Sequence, residues 1–370
     1  MSAGIDFPKP KTQNPKPKTQ NPKPKKYAFL MNILALTLNQ LVRIFETDYG
    51  KGRFHARALY REIFKHGNTV PFKAPEFAVS GALARSLEQA LVLAPGKVVD
   101  IFEEGDLTKF ITRLSDGRKI ESVIVPMNRY NTLCVSTQVG CRMGCTFCET
   151  GRMGLKRHLA VHEITGQLFN ARYTLKKPVK NIVFMGMGEP LDNFEFVMAA
   201  VHIMNEQQGF DIALRHMTLS TAGLVPGIEK LAKQNLPGIR LAVSINAPDN
   251  ETRSRLMPVN RAWPLETLKT ALSRFPLPHK GTFLFEYILI KGVNDSPAHA
   301  EQLAAFIHPL PVRLNLIPCN PVPGLGFESP SDEQMNQFSQ HLVKQGIFVI
   351  RRWSKGRSVS AGCGQLGRSR

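Results

Sequence analysis

Apolar and polar positions change rhythm twice along this chain of 370 residues. Residues 8–26 hold almost no apolar side chain and repeat Pro-Lys-Pro-Lys-Thr-Gln-Asn every seven residues. A stretch so polar and proline-rich cannot bury a core, so residues 1–26 are expected to form a disordered, extended basic arm. From 27 to 126 the pattern predicts a small α+β accessory domain. Leu36–Tyr49, Arg53–His66 and Ser80–Leu93 read as helices, the second with Phe54, Ala58, Leu59 and Ile63 on one face. Leu107–Leu114 and Ile120–Pro126 read as two strands around a Ser115-Asp116-Gly117 turn.

After Asn131 strand and helix patterns alternate. The strand candidates are Leu133–Gln138, Asn181–Gly186, His216–Thr221, Arg240–Asn246, Phe283–Ile290 and Leu314–Pro318. Helical stretches follow at 162–174, 194–206, 226–235, 265–275, 297–308 and 331–345, and a last strand, Ile347–Arg352, precedes the tail. Six βα units in series predict an α/β core, residues 127–370, with a parallel sheet and helices outside. Both a partial six-unit (β/α) barrel and a doubly wound sheet satisfy that order, and both gather ligands at the carboxyl ends of the strands.

Composition narrows the class. With 43% hydrophobic and 21% charged residues the chain is that of a globular protein. Its longest apolar run, Tyr27–Leu38, is too short to span a bilayer and follows the lysine tract, unlike a signal peptide. No membrane partner and a cytoplasmic location are therefore expected. The net charge of +19 is concentrated. Seven lysines lie between Lys9 and Lys26, and Arg351, Arg352, Lys355, Arg357, Arg368 and Arg370 crowd the last twenty residues, with no acid in either cluster. Such clustering suits a polyanion, nucleic acid first, although a solvated tail would share it.

Four of the six cysteines fall within fifteen residues, unlike the dispersed cysteines of a disulfide scaffold. Cys141-Arg-Met-Gly-Cys145-Thr-Phe-Cys148 follows the first strand of the alternating region. Three thiolates on one loop can hold three irons of a [4Fe–4S] cube and leave the fourth iron open. Zinc would want a fourth ligand at ordinary spacing; the nearest histidine, His158, lies ten residues on in a basic stretch.

That CxxxCxxC resembles the radical S-adenosylmethionine (SAM) superfamily, and its surroundings narrow the likeness. Thr132–Cys141, Phe184–Pro190 (FMGMGEP), Thr218–Gly223, Asn315–Pro321 and Ala361–Leu366, in that order, resemble the RlmN/Cfr family of RNA adenine methyltransferases. The likeness runs from about residue 45 to the end and leaves out the basic arm. It implies a partial (β/α)6 radical SAM barrel, a cluster on Cys141, Cys145 and Cys148, and two SAM molecules per turnover. Gly188, Glu189, Ser220, Ser244, Ile245, Asn246 and Asn320 match SAM contacts, with Asn246 in place of the usual histidine. Cys363 matches the thiol that takes a methyl group from SAM, loses a hydrogen atom to the adenosyl radical, and adds as a methylene radical to the adenine ring. Cys134 matches the thiol that then attacks the Cys363 sulfur, leaving a disulfide to be reduced each cycle. Glu121 matches the proton acceptor, and Cys319 is expected to be structural.

The resemblance also implies an RNA partner, 23S rRNA and some tRNAs, an electron donor such as flavodoxin or ferredoxin, and a monomer. Adenine C2 is the expected target. The alternative is C8, as in the resistance enzymes, whose segment after the cluster is closer to Thr150–Arg157. The segment Ser354–Ser360, acidic in most members, is basic here. A radical SAM enzyme with another substrate and a non-catalytic RNA-binding protein with a structural metal stay as rival readings. The charge and the Cys134/Cys363 pair weigh against the first, and absence of iron and labile sulfide after anaerobic purification would support the second.

Overall fold

Ten strands make one continuous sheet in the computed structural model, which describes residues 30–78, 80–352, 356 and 358–367. The repeat arm and Ser354, Lys355 and Arg357 of the basic segment lie outside the described residues. The strands are β1 (Lys97–Glu104), β2 (Leu107–Arg113), β3 (Lys119–Pro126), β4 (Asn131–Cys134) and β5 (Val179–Phe184). They continue as β6 (Met217–Thr221), β7 (Arg240–Ser244), β8 (Phe283–Leu289), β9 (Val312–Pro318) and β10 (Phe348–Arg351). Neighbours in the chain are neighbours in space throughout. β1 to β4 pair antiparallel and β4 to β10 pair parallel.

The parallel strands turn apolar residues such as Ile182, Leu219, Phe285 and Leu314 outward, where helices cover them, and place Asn181, Thr218 and Glu286 on the lumen side. Those helices, Val161–Phe169, Phe194–Asn205, Val225–Ala232, Leu265–Ser273, Pro297–Ile307 and Asp332–Lys344, stand where periodicity placed them. Ser296 and Ser331 open the last two with reciprocal capping boxes, which satisfies donors the first turn would otherwise leave orphaned. The helical module of residues 30–92 packs on the outside, where Phe64 meets Phe210 edge to face at 5.2 Å. Among the described residues no helix is long and apolar enough to cross a membrane.

Four expectations shift, each for a local reason. β1 was not foreseen: this edge strand is exposed over most of its length, so its charged residues break any two-residue alternation. The helix Asn250–Leu256 is also new to view, being polar except at its end. The strand expected over Leu133–Gln138 stops at Cys134, where Ser136 turns to donate its hydroxyl to the Glu121 carbonyl at 2.6 Å. The helices expected at 53–66 and 162–174 loosen into π turns at Arg61–Lys65 and Asn170–Thr174.

Among the described residues no pairing joins β10 to β1, so the barrel is partial. The C-terminal segment bridges that opening. It leaves β10 at one edge and is tied to the other: Glu104 accepts from the Gly356 and Ser358 amides at 2.7 and 2.9 Å. Lys109, fully buried, donates to the Ser360 carbonyl at 3.1 Å and pairs with Glu121 at 2.8 Å. Lys109→Met removes the cation from beside a buried carboxylate, which costs about 3–5 kcal/mol. The expected outcome is a lowered thermal midpoint, with Lys109→Arg recovering part of it; an unchanged melt in the methionine variant would show that the strap holds nothing.

Candidate active site

The cysteine loop starts just beyond β4. Gly144, at φ +65°, reverses the chain between the first two cysteines, and the Thr146 amide donates to the Leu256 carbonyl at 2.9 Å. Cys148 closes back on Cys145 through an amide–carbonyl bond of 3.1 Å. All three cysteines line one cavity at the carboxyl ends of the strands. Burial pushes their thiols up, Cys141 to about 12, while Arg253 acts in the opposite sense on Cys145.

The donor set fits a cube better than a single ion. Three thiols on one short loop face a single cavity, and a [4Fe–4S] cube takes three thiolates and keeps one corner for another ligand. Arg253 adds a second argument. It is fully buried and no carboxylate pairs with it among the described residues; its guanidinium donates to the carbonyls of Ala222, Ser244 and Ile245 and to Asn260 at 2.8–3.1 Å. A buried cation needs a compensating charge, and cluster thiolates would supply it.

The glycine-rich turn after β5 forms another part of the wall. Gly188 has φ +103°, and a Cβ there would stand 2.5 Å from the Gln138 Cβ, so no other residue fits. The turn hangs on Gln138, whose side-chain oxygen accepts from the Glu189 amide at 2.8 Å. Glu189 is buried, accepts from the Ala222 and Leu191 amides at 2.8 and 3.1 Å, and is raised by burial to about 7. A carboxylate held in this way suits an ammonium group arriving in the cavity.

The expected SAM contacts divide. Gly188, Glu189, Ser220, Ser244 and Asn246 line the cavity. Ile245 does not: its side chain packs in the main core, as strand alternation requires between two inward neighbours. Asn246 lies in the left-handed region at φ +56°, which asparagine tolerates. Its side chain is already engaged, accepting from the Ile288 amide at 2.8 Å and donating to the Met257 sulfur at 3.3 Å. Asn320 is absent from the cavity wall and instead donates to the Cys363 carbonyl at 3.0 Å.

Cys363 is carried into the same place by a loop docked on the cluster segment. The Glu149 amide donates to the Gly364 carbonyl at 2.8 Å and the Thr150 hydroxyl to the Leu366 carbonyl at 2.6 Å. A Cβ on Gly362 would meet the Asn320 amide nitrogen at 2.7 Å, so a small residue is needed there. The Cys363 thiol lines two cavities at once: the one holding the three cysteines and a second running down the barrel lumen, whose wall includes Cys134. It is open to solvent yet crowded by protein, which pushes it up to about 11, with Glu286 adding to the rise. Burial takes Cys134 to about 12, and Cys363 adds to it. The disulfide that the resemblance implies for this pair is not formed; both are free thiols.

Glu121 lines neither cavity and sits beside Lys109. Glu286 was missed. It lines both cavities, is raised by burial to about 7, and accepts from Asn315 at 2.8 Å, but nothing in the apolar pattern of β8 marks it except its own presence there. Cys319 is buried in a small apolar cluster with Met143, Phe147 and Met257, in keeping with a structural role.

Comparison with known proteins agrees with this arrangement. Residues 135–304 match the radical SAM superfamily. A probable dual-specificity RNA methyltransferase RlmN 1 of Protochlamydia amoebophila is 40% identical over 91% of this chain and 94% of its own length. The dual-specificity RNA methyltransferase RlmN of Geobacter sulfurreducens is 40% identical over 91% of the chain and 92% of its own. The crystal structure of a radical SAM methyltransferase from Sphaerobacter thermophilus superposes with a TM-score of 0.84 at 38% identity, covering 91% of this chain and 99% of that one. With three thiols around an open cavity and likeness over nearly the whole length, the chain belongs to the RlmN family of radical SAM methyltransferases.

Proposed function

We propose that this enzyme methylates C2 of an adenine in RNA, 23S rRNA and some tRNAs, through a carbon carried on Cys363. The observation that carries the reading is the position of Cys363, shared between the cavity of the three cluster cysteines and the lumen that contains Cys134. A carrier thiol must meet the SAM methyl on one side and the acceptor ring on the other, and this one faces both. A cluster on Cys141, Cys145 and Cys148, with SAM against Gly188 and Glu189, supplies one-electron cleavage of a sulfonium and with it a hydrogen-atom acceptor.

The chain's own residues account for the other steps. Cys363 loses its proton and takes a methyl group by substitution from one SAM. It then holds the carbon against the ring once a second SAM has served to remove a hydrogen atom. The resemblance assigns the ring proton to Glu121, which lies beside the lumen on the strand face of Val123 and Val125, paired with Lys109. The adduct gives its unpaired electron back to the electron-transfer protein. The Cys134 thiolate then attacks the Cys363 sulfur, the carbon leaves with the C–S electron pair and takes a proton to become the methyl group, and the disulfide formed is reopened by an external thiol reductant. An acidic electron-transfer protein of the flavodoxin or ferredoxin class provides the electron.

Mass spectrometry of nucleosides from rRNA and tRNA of cells with and without the gene tests the reading. Loss of 2-methyladenosine in the deletion is the expected result. Loss of 8-methyladenosine would move the target to C8, and an unchanged methyladenosine profile would reject RNA as the substrate.

A further inference from the structure

We infer that the amino-end mouth of the barrel lumen receives the single-stranded RNA around the target adenine, with Arg215 and Arg240 on its phosphates and Asn181 on the edge of the base. This rests on the RNA-methyltransferase reading above and adds the side of entry and the groups that read the strand.

The lumen runs the height of the sheet. At its upper end stand Cys148 and Cys363, and at its lower end Tyr130, Arg215, His216 and Arg240, which precede or begin β4, β6 and β7. Arg215, Arg240 and Tyr130 are exposed, so the lumen opens to solvent there, opposite the thiols. Lys180 adjoins the mouth, its ammonium 6.0 Å from the Tyr130 ring centre. Burial first, and then the charges of Arg215, Lys180 and Arg240, lower the pKa of His216, so these cations form one cluster. Among the described residues no ion pair engages Lys180, Arg215 or Arg240. Unpaired cations around an opening are a phosphate-binding arrangement, and an exposed tyrosine at the rim suits a stacked base.

Inside the mouth the polar inventory contains one unfilled position. The Asn181 side chain lies in the lumen wall, and its amide oxygen is buried with no hydrogen-bond partner among the described residues. A buried amide without a partner costs free energy unless a ligand completes it. Asn181 pairs in register with Thr132, and Val183 with Cys134. The amide therefore stands two strand residues, ~6.6 Å, below the Cys134 level, about the width of a base. An adenine whose polar edge meets Asn181 would present a ring carbon upward to the Cys134 and Cys363 thiols. Asparagine is the side chain that pairs both donor and acceptor with adenine. A base reaches this depth only if it is flipped out of any stack, which a loop permits at lowest cost.

An acidic electron-transfer protein is the other polyanion a basic mouth could meet, but it would have no use for a lumen ending at the carbon-carrying thiols.

The test uses the anaerobically reconstituted full chain and a synthetic RNA hairpin with one adenosine in its loop, and the same hairpin with an abasic site there. Binding is measured against salt for wild type, Arg215→Ser/Arg240→Ser, Lys233→Ser/Lys344→Ser and Asn181→Leu. Two lost phosphate contacts lower the slope of log K against log salt by ~1.4 in the arginine pair. The lysine pair removes the same charge from the outer surface and keeps the wild-type slope. Wild type prefers the adenosine hairpin over the abasic one by roughly tenfold, and Asn181→Leu abolishes that preference with the slope intact. Iron content and thermal melting establish that each variant is folded. An arginine pair with the wild-type slope overturns the inference, as does a defect confined to reduction by flavodoxin. A wild type that binds neither hairpin overturns the RNA reading itself.

Discussion

A Cys363→Ala protein is expected to form no methyladenosine, a loss of about 10⁴-fold or more, the scale seen when a covalent nucleophile is removed. The reason is positional: Cys363 lines both the cluster cavity and the lumen, and unlike Cys148, which also lines both, it lies outside the three-cysteine loop. Its loop is held by the Asn320, Glu149 and Thr150 contacts whichever side chain it carries, so alanine leaves the fold in place. Cys134→Ala should fail differently. The carbon still reaches the ring, but nothing attacks the Cys363 sulfur, and RNA stays attached to protein. Incubation with SAM, reductant and RNA followed by a denaturing gel separates the outcomes: no adduct for Cys363→Ala, a shifted band for Cys134→Ala. Free methylated RNA released by Cys134→Ala at the wild-type rate would remove the resolving role from that thiol.

Arg253→Met carries the second large effect, on assembly rather than turnover. The guanidinium ties the ends of β6 and β7 to the segment after the Asn250–Leu256 helix through the Ala222, Ser244 and Ile245 carbonyls and Asn260. Methionine fills similar volume but leaves three buried carbonyls with fewer donors, at about 1–3 kcal/mol each where water cannot replace them. That is a sizeable share of a typical stability of about 5–15 kcal/mol. The thermal midpoint is expected to fall by about 5 °C or more. Iron and labile sulfide after anaerobic reconstitution should fall well below four per chain, because the positive charge beside Cys145 is gone. Arg253→Lys keeps the charge but not the fork, and should retain more iron than methionine does while melting below wild type. A methionine variant with full iron and an unshifted melt would show that neither the brace nor the charge matters.

The expected strand–helix alternation and the observed sheet agree because the outward positions of the parallel strands, such as Ile182, Leu219, Phe285 and Leu314, are apolar and helices bury them. Local pattern and tertiary packing give one answer at β8 and β9. They part at β1, where an exposed edge carries no alternation, and at Arg253, whose burial is invisible in a polar stretch reading Asn-Glu-Thr-Arg-Ser-Arg-Leu. Cys141, Cys145 and Cys148 were legible because ligands on one loop keep their spacing in the chain. Gly188 was legible because close approach demands that residue.

The surroundings of Ile245, Asn320 and Glu286 were not legible. Whether a strand-end residue faces a cavity, a core or a loop depends on register and on which distant segment arrives beside it. The sequence by itself determined the repeating βα architecture, the three-thiol loop and the excess of positive charge, all properties of neighbours along the chain. Only the tertiary structure decided that the barrel stays open, that the C-terminal strap crosses the gap to Glu104 and Lys109, and that Cys363 faces Cys134 across one lumen. Those relations join residues more than two hundred positions apart, and their spacing is set by packing, which no local pattern encodes.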